Sequence, residues 1–143
     1  MKVIADTNVL VSARIVPVGT SAAIFRQIAL FEHVTSPEIL AETEQVLHRK
    51  HIRQRYHLGA EDITQYIALL RDVSTVIEPT EHVTVVHADP DDDKVLSLAK
   101  EVQADYIVSG DPHLTDLGEW AGIAIVTPAQ FVVILPTLSR GMP

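Results

Sequence analysis

Short apolar runs of three or four residues alternate along this 143-residue chain with longer stretches whose apolar residues recur at helical spacing. That alternation limits the fold more than any other feature. Val3-Ile4-Ala5 reads as a buried strand that ends on the polar residues Asp6-Thr7-Asn8. Thr20 or Ser21 can cap a helix carrying Ile24, Ile28 and Phe31, and Val34-Thr35 follows as a brief strand. Ser36-Pro37 predicts a sharp helix start, with Ser at the cap and Pro at the first helical position. That helix presents Ile39, Leu40, Thr43, Val46 and Leu47 on one side. A basic helical stretch runs from His48 to His57, and Gly59 separates it from a helix with Ile63, Ile67 and Leu70 on one face. Val73 to Ile77 is a strand candidate, and Val83 to Val86 reads as strand or loop. Asp89 to Asp93 opens a helix with Val95, Leu98, Ala99 and Val102 at helical spacing. Tyr106-Ile107-Val108 reads as a strand ending at Ser109-Gly110-Asp111, followed by a helical turn around Leu114 to Leu117. Ile123 to Val126 is the last strand, and Thr127-Pro128 caps a final helix with Phe131, Val132 and Leu135.

Strands alternating with helices imply an α/β fold, a three-layer α/β/α sandwich around a central, mostly parallel sheet. Residues 1–135 read as one domain, a size suited to a single core. Residues 136–143, with two prolines and a glycine, read as a frayed tail. The absence of cysteine excludes disulfide scaffolds, thiolate metal sites and thiol catalysis, and suits a reducing cytoplasm. Neither a signal peptide nor a membrane span is expected, since no long apolar run occurs. The net charge of −8 argues, taken alone, against a nucleic-acid partner.

In parallel sheets, ligands bind outside the carboxyl ends of the strands, where Asp6 and Asp111 both fall. An aspartate there is often only a turn former or a helix cap. The joint pattern asks for more. Asp89, Asp91, Asp92 and Asp93 crowd into five residues at a helix start. The helix dipole favours one or two of them by ~0.3–1 kcal/mol each. Four close carboxylates repel one another unless a cation neutralises them, and magnesium or manganese is the natural one for oxygen donors. Glu42 and Glu44 border the two sides of the apolar stripe between Ile39 and Val46, and helical geometry does not separate them. Carboxylate clusters without His or Cys suit phosphoryl transfer, in which two ions sit ~3.5–4 Å apart.

Five motifs, in order, resemble the PIN domain family of metal-dependent ribonucleases, which includes the toxins of many toxin–antitoxin pairs. They are Ile4-Ala5-Asp6-Thr7-Asn8-Val9-Leu10, then Ser36 to Glu42 with Val46-Leu47 and Arg49, then Asp89 to Leu96 running on to Ala99. Asp105-Tyr106-Ile107-Val108-Ser109-Gly110-Asp111 and Ile125-Val126-Thr127-Pro128 with Phe131 complete the set. The resemblance covers nearly the whole chain. It implies a site made by Asp6, Glu42, Asp92 and Asp111, binding one or two Mg2+ or Mn2+ ions, with Asn8 and Ser109 in support. Asp93 stands where the subfamily often has Asn, so Asp93 is the alternative to Asp92. Ser109 replaces the usual Thr, and His113 stands where the subfamily often has Asp.

The stretch from His48 to His57 holds four of the 11 formal positive charges, on Arg49, Lys50, Arg53 and Arg55, and no acid. It reads either as a solvated helix face or as a guide for RNA backbone. The net charge therefore hides a segregated pattern, in which bound cations would offset the acids where phosphate must dock. The leading expectation is a metal-dependent endoribonuclease acting by water attack, with RNA as substrate. The resemblance further implies a type II toxin role, a small antitoxin partner and a homodimer. A haloacid-dehalogenase-type phosphatase is the alternative enzyme, but that family needs Asp-x-Asp, and Asn8 stands two after Asp6. A receiver-like signalling domain lacks its paired acid and its lysine. A non-catalytic PIN-fold RNA-binding module is the remaining alternative.

Overall fold

Strand β1 (Lys2–Ala5) occupies the middle of a six-stranded sheet in the computed structural model, which describes residues 1–81 and 90–140 and the side chains among them except at 90–92 and 138–140. The strands that follow are β2 (Glu32–Thr35), β3 (Thr75–Val76), β4 (Tyr106–Val108), β5 (Glu119–Trp120) and β6 (Ile123–Val126). Their order across the sheet is β3-β2-β1-β4-β6-β5. All neighbours run parallel except β5, which pairs antiparallel with β6. Helices cover the sheet, giving the expected α/β sandwich. They are α1 (Thr7–Ile15), α2 (Thr20–Arg26), α3 (Pro37–Leu47), α4 (Lys50–Tyr56), α5 (Ala60–Val73), α6 (Pro90–Val102), α7 (Pro112–Thr115) and α8 (Pro128–Arg140).

The central strands read as unbroken apolar runs because they are buried on both faces. Val3, Ile4 and Ala5 of β1 and Ile107 and Val108 of β4 are all buried, with Ile4 paired to Ile107. Around them pack Leu10 of α1, Ile39 and Leu40 of α3, Ile63 and Leu70 of α5, and Leu96 and Leu98 of α6. Phe131 of α8 meets Phe31 and Tyr106 edge-on, each at 5.6 Å between ring centres. Such buried aromatic pairs add about 0.5–1.5 kcal/mol each beyond area burial.

Strand β1 is where the chain order reverses. Its neighbours are β2 on one side and β4, which begins only at Tyr106, on the other. This switch leaves a crevice between the carboxyl ends of β1 and β4.

Several local expectations are corrected. Asp6 follows β1 directly, as expected, but as the N-cap of a helix, α1, that was not expected from the sequence. The helix beginning at Thr20 stops at Arg26, capped by Gly19 without a side-chain bond, and Ile28 lies in a separate 3-10 turn, Ile28–Leu30. The break lets Phe31 extend and enter β2 from the buried side. The strand candidate at Val73 shrinks to Thr75–Val76, because Val73 completes α5. The chain does not fray at Pro136 either: α8 continues to Arg140. Proline forfeits one helical hydrogen bond but keeps a helical φ. Leu135 anchors the turn in the core, and Thr137 Oγ1 donates to the Ile134 carbonyl at 2.6 Å. Val83 to Val86 and Asp89 lie outside the described residues. Among the described residues, no single helix is long and apolar enough to cross a membrane.

Candidate active site

Parallel pairing of Ala5 with Val108 places Asp6 next to Ser109 at the head of the β1–β4 seam, where the Asp6 N–H donates to the Val108 carbonyl at 3.1 Å. Asp6 is the N-cap of α1: its Oδ1 accepts from the Val9 N–H at 3.0 Å. Its Oδ2 accepts from the Ser109 hydroxyl. Ser109 Oγ in turn accepts from the Asp111 N–H at 3.0 Å. One hydroxyl thus couples the start of α1 to the loop after β4.

Asp6 is buried, with 4% of its surface exposed. Burial pushes its carboxyl up to about 6; the Ser109 and Val9 hydrogen bonds oppose this, and the charges of Asp111 and Glu42 add to it. Three sequence-predicted carboxylates are therefore within electrostatic reach of one another. Each arrives on a different element. Asp111 caps the short helix α7, its Oδ1 accepting from the His113 N–H at 2.9 Å. Glu42 lies on α3, which starts at the Ser36 cap directly after β2; Ser36 Oγ accepts from the Ile39 N–H at 3.2 Å. Of Glu42 and Glu44, Glu42 is the one whose charge adds to the rise at Asp6.

Helix α6 packs against α3 beside Glu42. Lys94, the fifth residue of α6, sets its Nζ 3.2 Å from Glu42 Oε2. Asp93 is partly buried one residue before it, and the side chain of Asp92 lies outside the described residues. Lys94 was legible in the sequence only as part of the acidic motif, not as a partner of Glu42. The imidazole of His113 approaches Asp111, with Nδ1 at 3.5 Å from Oδ1. Asn8 is exposed on the first turn of α1, and Ser109 donates to Asp6.

A cleft of about 470 Å3 runs past Glu42 and Lys94, bordered by Glu38, Glu44 and His48. His48 also borders a second cleft, of about 390 Å3, with Lys50 and Arg53. Arg49 and Lys50 are exposed at the start of α4. Arg53 donates its Nε–H to the Leu58 carbonyl at 3.2 Å, and the Arg55 guanidinium lies 5.4 Å from the Tyr56 ring centre. Of the four basic residues, Arg49 and Lys50 are thus the least committed to packing.

Among the described residues, no set of three His, Asp or Glu side chains closes into a ready metal cage. The donor chemistry nonetheless fits a hard divalent ion. Asp6 is dehydrated beside two like charges, an arrangement that a cation would relieve. All the donors are oxygens, as magnesium and manganese prefer.

Comparison with known proteins agrees with this geometry. Residues 2–113 match the PIN domain family. The chain is also 35% identical over 122 residues to the uncharacterized protein MJ1680 of Methanocaldococcus jannaschii, covering 82% of this chain and 75% of that protein. The match spans β1 through Asp111, the segment that supplies every carboxylate of the crevice, and so the chain belongs to the PIN domain family, with the nuclease fold of that family.

Proposed function

We propose that this protein is a divalent-cation-dependent endoribonuclease, the toxin of a type II toxin–antitoxin pair acting in the cytoplasm. The observation that carries the nuclease reading is Asp6: a buried carboxylate at the sheet's switch point, with its charge opposed by those of Asp111 and Glu42. Asp6, Glu42, Asp111 and Asp92, or Asp93 in its place, would hold one or two Mg2+ or Mn2+ ions. When bound, such an ion supplies charge neutralisation at phosphate and lowers the pKa of water. Ser109 holds one oxygen of the Asp6 carboxylate and the Val9 N–H holds the other, which limits how far the group must reorganise to meet a cation. Arg49 and Lys50, beside the clefts that meet at His48, would attract the RNA backbone. Arg53 and Arg55 add to the field of that edge.

The toxin role rests on the resemblance of the ordered motifs to toxin-type PIN ribonucleases. A small antitoxin and a second copy of the chain are the partners proposed with it. Exposed Val18, Leu69 and Val73 offer apolar surface to such partners.

Product ends test the chemistry. Water attack leaves a 5′-phosphate and a 3′-hydroxyl, and tolerates a 2′-deoxy substitution at the scissile nucleotide. A 2′,3′-cyclic phosphate product would contradict it.

A further inference from the structure

Glu42 already has a cation. The Lys94 ammonium lies 3.2 Å from its Oε2, reaching from the second turn of α6 to α3 across 52 residues of sequence. The two side chains are 32% and 22% exposed, at the wall of the cleft that Glu38, Glu44 and His48 also border. We propose that Lys94 is a stand-in cation for Glu42, which a divalent ion must displace, so that Lys94 sets how tightly the site takes that ion. The inference rests on the proposed nuclease reading of the same carboxylates.

The physical grounds are threefold. The Glu42 charge is felt at buried Asp6, so an unneutralised Glu42 would add to the repulsion in the crevice. A lysine on a flexible four-carbon stem neutralises it as a point charge without fixing geometry. A partly exposed pair of this kind is weak, so a doubly charged ion can replace it. A role as a tether between α3 and α6 is the competing explanation. The buried side chains Leu96, Leu98 and Ala99 already hold α6 in the core, and a part-exposed ion pair adds little to them.

The two explanations differ in cation affinity. Mn2+ is titrated calorimetrically into the full chain, as wild type, Lys94→Gln, Lys94→Arg and Asp6→Asn, with thermal melts confirming that each variant is folded. Removing the competing charge in Lys94→Gln tightens binding about two- to fivefold, the fold-change equivalent to one part-exposed pair. Lys94→Arg keeps the charge and stays near wild type, and Asp6→Asn loses most of the affinity. Unchanged or weaker binding by Lys94→Gln, with wild type binding and Asp6→Asn deficient, overturns the stand-in role and leaves the metal reading intact. A wild-type chain that binds no Mn2+ overturns both.

Discussion

The Ser109 hydroxyl donates to the Asp6 carboxylate across the seam between β1 and β4, joining residues 103 apart in sequence. The same oxygen accepts from the Asp111 N–H, so a single hydroxyl orients two acids of the crevice. Ser109→Ala leaves a buried carboxylate oxygen and a backbone N–H each short of a partner. The expected loss of stability is about 1–3 kcal/mol, read from urea unfolding at neutral pH. Ser109→Thr, which keeps the hydroxyl, should retain most of the activity that Ser109→Ala loses.

Asp6 itself is held against its preference. Its pKa, raised by burial to about 6, makes the ionised form a destabilising element at neutral pH. Asp6→Asn removes that charge from beside Asp111 and Glu42. Without divalent ions, the variant should be about 1–3 kcal/mol more stable than wild type near pH 7.5, although inactive. A lower melting temperature for Asp6→Asn would show that the carboxylate is held by a compensating charge after all.

His33 predicts a pH signature of opposite sign. It is buried in β2, with Nδ1 2.6 Å from Ser74 Oγ, the Phe25 ring edge-on, and Nε2 without a partner among the described residues. Burial lowers its pKa from 6.5 to about 4. The neutral ring therefore contributes stability above pH 6.5, lost as the pH falls toward 4. Asp6 acts the other way, gaining stability as the pH falls from about 6 to 3.8. The two partly cancel in the wild type. In Asp6→Asn only the His33 arm remains, and stability should drop by about 3 kcal/mol between pH 6.5 and 4. Urea midpoints across that range, compared between the two proteins, read the difference directly. A parallel pH dependence in both would contradict it.

The basic edge should matter for affinity and not for the chemical step. Replacing exposed Arg49 and Lys50 by Gln should raise KM on a long single-stranded RNA and leave kcat nearly unchanged. The salt slope of RNA binding should fall by about 0.7 for each charge removed. Arg53 is a poorer choice for this test, because its hydrogen bond to Leu58 closes the end of α4.

How much of this was legible in the sequence depends on the range of the interaction. Apolar triplets such as Tyr106-Ile107-Val108 stand out, and so does the Ser36-Pro37 cap, because each signal lies within a few residues. Helix α1 was missed since Val9, Leu10 and Val11 form one apolar run with no visible helical period. Strand β5 has two residues, too few for any pattern. The acids were nameable from their motifs. Their convergence was an expectation from the family resemblance alone, because it depends on β4 lying beside β1, a pairing that local spacing does not encode. Glu42 and Glu44 were equivalent by helical spacing; the resemblance singled out Glu42, and it is the Glu42 charge that is felt at Asp6. The Lys94–Glu42 contact joins two helices and has no local signature.

The most direct test is cleavage of a labelled single-stranded RNA by wild type and Asp6→Asn, with Mn2+, with Mg2+ and with excess EDTA. The account predicts cleavage by wild type with either cation, none with EDTA, and none by a folded Asp6→Asn under any condition. Cleavage that survives EDTA, or full activity in Asp6→Asn, would contradict it.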